Sequence, residues 1–264
     1  MRITMLGCGT SVGVPSLGPA GWGACDATNP RNFRQRCALL VEKEGFTLLV
    51  DAGPDIRRQL LAASVKRLDA VLITHCHSDH IAGMDDLRPY YFVEGRKIPV
   101  YATAGDLAIL TDKFGYLFEK HEHSPSYFMP SLEAREISAD STLRLEGAEA
   151  GAGVEVRVVR QHHGRLDSLG FVFDGRAGYS TDVVDFPEAS FEYLTGLDVW
   201  IVEMLREAPH SAHAHFELTM EWVKRCRPRR AILTHLGLES DYETLRAKCP
   251  EGVEPGYDGL VVEL

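Results

Sequence analysis

The sequence predicts a mixed α/β fold, and three observations carry that expectation. Short runs rich in Val, Ile, Leu and Phe alternate with amphipathic stretches along the whole chain. Gly and Pro punctuate the alternation at the places where elements would meet. Several apolar runs end in a polar residue just as the chain turns, at Asp51, His75, Asp182, Glu203 and His235. In layered α/β proteins such strand ends are where functional groups collect, because loops vary there over a rigid sheet.

The elements follow in order. Residues 2–6, 37–42 and 47–50 read as strands, the last two joined by a hairpin-like turn at Glu44-Gly45. Pro54 suits a first helical turn, and Ile56, Leu60 and Leu61 give one apolar face to a helix ending near Ser64. Residues 68–74 form a buried strand, 85–92 a helix, 100–102 a strand and 105–118 a helix. Strands follow over 154–160, 169–173, 178–181 and 198–203. The chain closes with a helix over 216–226, a strand over 231–234, a helix over 241–249 and a strand over 260–264. No Pro/Ser linker divides the 264 residues, so one domain over 1–264 is expected. Residues 15–23 and 121–130 read as the most mobile loops.

Composition narrows the function classes. With 45% hydrophobic and 25% charged residues, the chain has the make-up of an ordinary globular protein. A formal net charge of -10 argues against nucleic acid or an anionic membrane as partner, since both reward clustered Lys and Arg. The apolar run 197–205 carries Asp198 and Glu203 and falls far short of the roughly 20 residues that span a bilayer. No secretory leader is read after Met1-Arg2, so a cytoplasmic location is expected. The six cysteines form no C-x-x-C pair and read as reduced thiols, mostly buried as small hydrophobes.

The chemistry concentrates in Thr74-His75-Cys76-His77-Ser78-Asp79-His80, directly after a predicted strand. Three imidazoles and a carboxylate in an H-x-H-x-D-H array are N and O donors of the kind that Zn²⁺, Mn²⁺ and Fe²⁺ take. Alternate residues His75 and His77 can face one ion while Asp79 and His80 turn toward a second. Two ions about 3.5–4 Å apart would share a bridging hydroxide. Further donors stand at later strand ends: a histidine of the His162-His163 pair, Asp182, which can bridge, and His235.

This pattern resembles the metallo-β-lactamase superfamily. The stretches Leu6-Gly7-Cys8-Gly9-Thr10-Ser11, Trp22-Gly23-Ala24-Cys25-Asp26, Pro30-Arg31-Asn32, Gly83-Met84-Asp85-Asp86-Leu87-Arg88 and Ala231-Ile232-Leu233-Thr234-His235 are similar to the branch holding the cyclic phosphodiesterase of bacterial phosphonate degradation, and more distantly to ribonuclease Z. The resemblance implies a four-layer αβ/βα sandwich with a dinuclear site at one rim. It implies that His75, His77 and His163 hold one metal, that Asp79, His80 and His235 hold the other, and that Asp182 bridges. His163 rather than His162 follows from the family's His-Gly pairing. His213 would be the catalytic acid near the leaving group, with His215 the neighbouring alternative, and Asp79 joins it as a catalytic candidate. That branch carries a cysteine-rich structural zinc loop, for which only Cys25 remains here.

The function so implied is hydrolysis of a small or cyclic phosphodiester with two divalent ions, Mn²⁺ or Zn²⁺, as cofactors. The bridging hydroxide would attack phosphorus and His213 would protonate the leaving oxygen. A thioesterase or lactonase is the alternative, and an iron-loaded oxidoreductase or a metal sensor is the reading from another class. A small-molecule partner and a homodimer are expected, the latter from relatives.

Other signals receive blander readings. His121 and His123 lack a carboxylate partner, and Gly7, Gly9 and Gly13 do not space as a dinucleotide fingerprint. Asp51 would orient the metal-bearing loop. Arg31, Arg34 and Arg36 are either solvated charges or phosphate anchors, and Asp86 with Arg88 reads as a structural pair.

Overall fold

Alternation of side chains along the N-terminal strands already divides the interior in two. Leu39, Val41, Leu48 and Val50 face one apolar layer, while Ala38, Leu40 and Leu49 face another. A computed structural model of the protein describes residues 1–120, 129–147 and 151–264. Its first sheet contains β1 (Arg2–Gly7), β2 (Ala38–Lys43), β3 (Phe46–Val50), β4 (Ala70–Leu72), β5 (Ile98–Ala102), β6 (Leu132–Glu136) and, from the C-terminus, β14 (Val261–Glu263), in the order β14-β1-β2-β3-β4-β5-β6. The second contains β7 (Thr142–Glu146), β8 (Gly153–His163), β9 (Leu166–Phe173), β10 (Ala177–Ser180), β11 (Val199–Glu203), β12 (Ala231–Thr234) and β13 (Val253–Pro255), in the order β13-β12-β11-β10-β9-β8-β7.

The sheets pack face to face over a core that joins Val41, Leu48 and Val50 to Val156, Val158 and Phe171. The helices are α1 (Ile56–Ala62), α2 (Ser78–Ile81), α3 (Arg88–Glu94), α4 (Ala104–Phe118), α5 (Ser190–Leu194), α6 (Phe216–Cys226) and α7 (Tyr242–Lys248). Ile56 and Leu60 of α1 with Leu110 and Leu117 of α4 cover the outer face of the first sheet. Trp222 of α6 and Leu245 of α7 join the core around the second. The architecture is the α/β sandwich expected.

Register explains how the site is assembled. Strands β3 to β6 run parallel, and so do β10 to β13, so the carboxyl ends within each set point the same way. Several elements differ from the sequence expectation, among them the short helices α2 and α5, for which the sequence predicts no element. The sequence signals no element at β6, β7 or β13, and all three are edge strands, paired on one side only and therefore free of a continuous apolar run. The expected helix over 85–92 is a 3-10 turn, Met84–Leu87, followed by α3, in whose first turn Pro89 stands. The Asp86–Arg88 pair is likewise corrected: Arg88 lies 3.8 Å from Asp85 and Arg57 lies 3.9 Å from Asp86. His121 and His123, with most of the loop 121–130, lie outside the described residues. All six cysteines are unpaired, four of them buried. No helix among the described residues is long and apolar enough to cross a membrane.

Candidate metal centre

Each sequence-predicted ligand stands just beyond, or at, the end of a strand. β4 delivers His75, His77, Asp79 and His80, β8 ends on His163, β10 leads to Asp182 and β12 to His235. The rim is conformationally strained. Asp51, Asp182 and His235 all have left-handed backbones, with φ of 64°, 55° and 58°. For residues with a Cβ this region costs about 1–2 kcal/mol each, a cost that surrounding structure must offset.

The side chains gather in two overlapping groups. His75, His77, His163 and Asp182 form one, and Asp79, His80, Asp182 and His235 the other, with ligand atoms within 4.8 Å of one another in each. Asp182 belongs to both. Its Oδ1 lies 3.9 Å from His75 Nε2, 3.8 Å from His163 Nε2 and 3.5 Å from His235 Nε2, while Oδ2 lies 3.1 Å from His80 Nε2. Thr181 Oγ1 donates to Oδ2 at 2.7 Å and steadies the carboxylate.

The outer nitrogens of two histidines are held by partners behind them. His80 Nδ1 donates to Asp51 Oδ2 at 2.7 Å, and Asp51 also accepts from the backbone N–H and hydroxyl of Thr74. His163 Nδ1 donates to the Ala212 carbonyl at 2.7 Å. In each case Nε2 is left to face the site, as in the histidines of metal centres. The close approach of the 212 segment explains the glycine after His163. Gly164 has φ of +64°, and a Cβ there would lie 2.9 Å from the Ala212 Cβ. His162 points to the other side of β8 and pairs with Asp167 at 2.9 Å.

These groups fit a divalent cation. His80 Nε2 and both ring nitrogens of His235 are buried and make no hydrogen bond of normal geometry, although carboxylate oxygens stand 3.0–3.5 Å away. Donors arranged so aim at shared points rather than at each other, and a mixed imidazole and carboxylate set suits first-row metals. The charge balance agrees. Burial disfavours an ionised Asp182, yet the His235 and His80 rings hold its carboxyl well below the ordinary value. Burial likewise opposes a charged His80, but Asp182 and Asp51 push its imidazole well up. His235 is raised to about 9, against burial, by Asp182 and Glu203. Buried carboxylates that draw histidines into the charged form mark a place with a standing demand for positive charge.

The sequence marks Glu203 only as a polar strand end. The structure buries it completely at the end of β11, where His213 Nδ1 donates to its Oε1 at 2.6 Å and His235 Nδ1 stands 3.0 Å from the same oxygen. The His213 ring stacks on His235 at 4.8 Å between centroids and 12° between planes, and its Nδ1 is 3.9 Å from Asp182. His215 instead precedes α6, its carbonyl accepting from Thr219 N. Of the three arginines, Arg31 stacks on Tyr242 and Tyr257, Arg34 is buried with its NH groups on Asn32, Gly237 and Ser240, and Arg36 pairs with Asp55. The Cys25 thiol contacts Arg34 and the carbonyls of Gly237 and Leu238.

Two facing mixed sheets with a His/Asp cluster at strand ends define a hydrolase fold of the metallo-β-lactamase type. A family model described as the β-lactamase superfamily domain matches residues 47–236, and the chain belongs to that superfamily. An octanoyltransferase of Porphyromonas gingivalis is 31% identical over 263 residues, 98% of this chain and 51% of that protein, so this chain spans about half the length of that relative. A ribonuclease Z of Anoxybacillus flavithermus is 28% identical over 282 residues, covering 88% of this chain and 86% of the relative. A solved structure described as a new diphosphatase from the PhnP family matches with a TM-score of 0.88 at 30% identity, over 100% of this chain and 97% of that one. The fold is also that of Zn²⁺-bound PqqB from Methylobacterium extorquens, with a TM-score of 0.77 at 19% identity and full coverage of both chains.

Proposed function

We propose that the protein is a phosphodiesterase that acts on a small phosphodiester with the help of two divalent ions, Mn²⁺ or Zn²⁺. The observation that carries the reading is Asp182, whose carboxylate serves both donor groups at once while a Glu203-backed His213 stands beside it. His75, His77 and His163 would hold one ion, Asp79, His80 and His235 the other, and Asp182 both. When bound, such ions supply Lewis acidity at the phosphoryl oxygens and an acidified water as nucleophile.

The rest falls to the chain's own groups. His213 has Nδ1 committed to Glu203, so Nε2 is the atom left to meet a ligand and to give a proton to the leaving oxygen. Glu203 fixes the ring's tautomer and orientation. Asp51 orients His80, and the Ala212 carbonyl orients His163. A proton donor placed for a leaving oxygen favours phosphodiesters over carbonyl esters as substrates. The 30% identical diphosphatase structure and the ribonuclease Z relative, both named for phosphoryl chemistry, support the same class.

The test is turnover of bis(p-nitrophenyl) phosphate against a thioester and a lactone, with metal-stripped protein reloaded separately with Mn²⁺ and Zn²⁺. Metal-dependent phosphodiester cleavage, absent in Asp182→Ala, is the expected result. Cleavage of the carbonyl substrates alone would replace this reading with a thioesterase or lactonase.

A further inference from the structure

Asp182 serves both donor groups from a backbone turned into the left-handed region, with φ of 55°. A strained residue keeps one conformation only where its surroundings over-determine it. Three buried side chains meet the main chain at this point. Gln161 Nε2 donates to the Thr181 carbonyl at 3.0 Å, the Ser168 hydroxyl donates to the Asp182 carbonyl at 2.7 Å, and Glu203 Oε2 accepts from the Val183 N–H. Glu203 already has a use in holding His213. Gln161 and Ser168 have none in the chemistry above.

These two residues stand directly opposite each other on β8 and β9, and Gln161 Nε2 also donates to Ser168 Oγ at 3.1 Å. Gln161 alternates with His162 along β8 and so shares the face of His163. The next residue of β9 reaches the other side of the centre, where Leu169 N–H donates at 2.9 Å to the carbonyl of Thr74, the residue before His75. Both polar side chains are wholly buried. For the fold alone an apolar pair would serve better. Gln161 Oε1 has no hydrogen-bond partner among the described residues, and a buried polar atom left so opposes folding. The chain nevertheless keeps room for the amide, since a Cβ at Gly170 would lie 2.3 Å from that oxygen. Being uncharged, the pair holds the main chain without altering the charge that the donor groups present.

We propose that Gln161 and Ser168 are positioning residues of the metal centre: through the Thr181 and Asp182 carbonyls they hold the Asp182 backbone in the orientation from which its carboxylate reaches both donor groups. The proposal rests on the reading that these donors hold divalent ions, and it is independent of the substrate.

The test is affinity for Zn²⁺ and Mn²⁺, measured by competition with a chromogenic chelator on protein that circular dichroism and a melting curve show to be folded. Gln161→Met keeps the length of the side chain and removes the amide, and Ser168→Ala removes the hydroxyl. Each is expected to weaken binding about 10- to 100-fold, the range typical of groups that orient metal ligands. Val158→Ala is the control, because it hollows the buried part of the same strand and leaves the Gln161 and Ser168 contacts in place. It lowers the melting temperature, and its affinity stays within about twofold of the unsubstituted protein. Ser168→Thr, which retains a hydroxyl, keeps most of the affinity. Unchanged affinity in both Gln161→Met and Ser168→Ala overturns the proposal, and so does an equal loss in Val158→Ala, which would mark the effect as general loosening of the fold. If Gln161→Met does not fold, Ser168→Ala decides by itself, since it removes one oxygen atom. If the loaded protein cleaves no phosphodiester, the phosphodiesterase reading falls and the affinities still decide the positioning role. If the unsubstituted protein binds neither ion, the metal reading and the proposal fall together.

Discussion

His213 Nδ1 donates to Glu203 Oε1 at 2.6 Å, and the accepting carboxylate has no exposure to solvent. Burial by itself would raise the Glu203 carboxyl, yet the His213 and His235 rings hold it below its ordinary value. For a His213 that protonates a leaving oxygen, the cost of losing it must depend on the leaving group. His213→Ala is expected to slow alkyl phosphodiesters about 10²- to 10⁴-fold and nitrophenyl esters much less. Glu203→Gln should show the same dependence at about 10- to 100-fold, since it keeps the volume while loosening the hold on the His213 ring and on His235 beside it. Equal slowing of both ester classes would remove the acid role.

Asp182 is the residue on which both donor groups depend. Asp182→Ala should bind less than half the metal of the unsubstituted protein when both are dialysed against equal Mn²⁺ or Zn²⁺ and read by elemental analysis. Stripping metal with a chelator should lower the melting temperature of the unsubstituted protein, because a ligand that binds only the folded state at a hundred times its Kd contributes about 2.7 kcal/mol. Reloading should restore it. A melting temperature indifferent to chelator and metal would contradict the fit of these residues to a cation.

Asp51 touches no other candidate ligand than His80, to which it is joined at 2.7 Å. Asp51→Asn keeps the volume and loses the charge behind the ring. Metal affinity is expected to fall about 10- to 100-fold with the fold retained. Competition with a chromogenic chelator measures this directly, and an unchanged affinity would show that the Thr74 contacts alone position the loop.

Asp258, which is not among the candidate metal ligands, supplies a pH prediction. Its carboxylate accepts from Cys8 N at 3.1 Å and Gln35 N at 2.7 Å and so ties the C-terminal turn to two N-terminal segments. Burial pushes the carboxyl up to about 6, against those hydrogen bonds. A folded value above the unfolded one means that the protonated form favours the fold, and that this contribution disappears as pH rises through about 6. Relative to Asp258→Asn, the unsubstituted protein should lose about 2–3 kcal/mol of stability between pH 4 and pH 7. Urea unfolding at several pH values would show it, and parallel stability profiles would refute it.

Local pattern was enough to reveal most of the strands and the donor types. Apolar runs such as 47–50 and 231–234 are central strands that must bury both faces, so their composition announces them. The H-x-H-x-D-H array is legible for a similar reason: six positions of chain hold four donors whatever else the fold does. The edge strands β6, β7 and β13 left no such mark, because one partner strand supplies their order and solvent tolerates their polar faces. Spacing along the chain does not show the rest, although the family resemblance already favours His163. That His163 and not His162 faces the cluster depends on the pleat of β8 and on the Ala212 carbonyl, 49 residues away. That Glu203 holds His213 depends on segments from separate parts of the chain meeting at one rim. The sequence by itself determined the class of fold and the chemistry of the donors, since both are written in residue type and spacing. Only the tertiary structure decided which donors meet and what stands behind them, because parallel pairing and sheet packing, not spacing along the chain, set those distances.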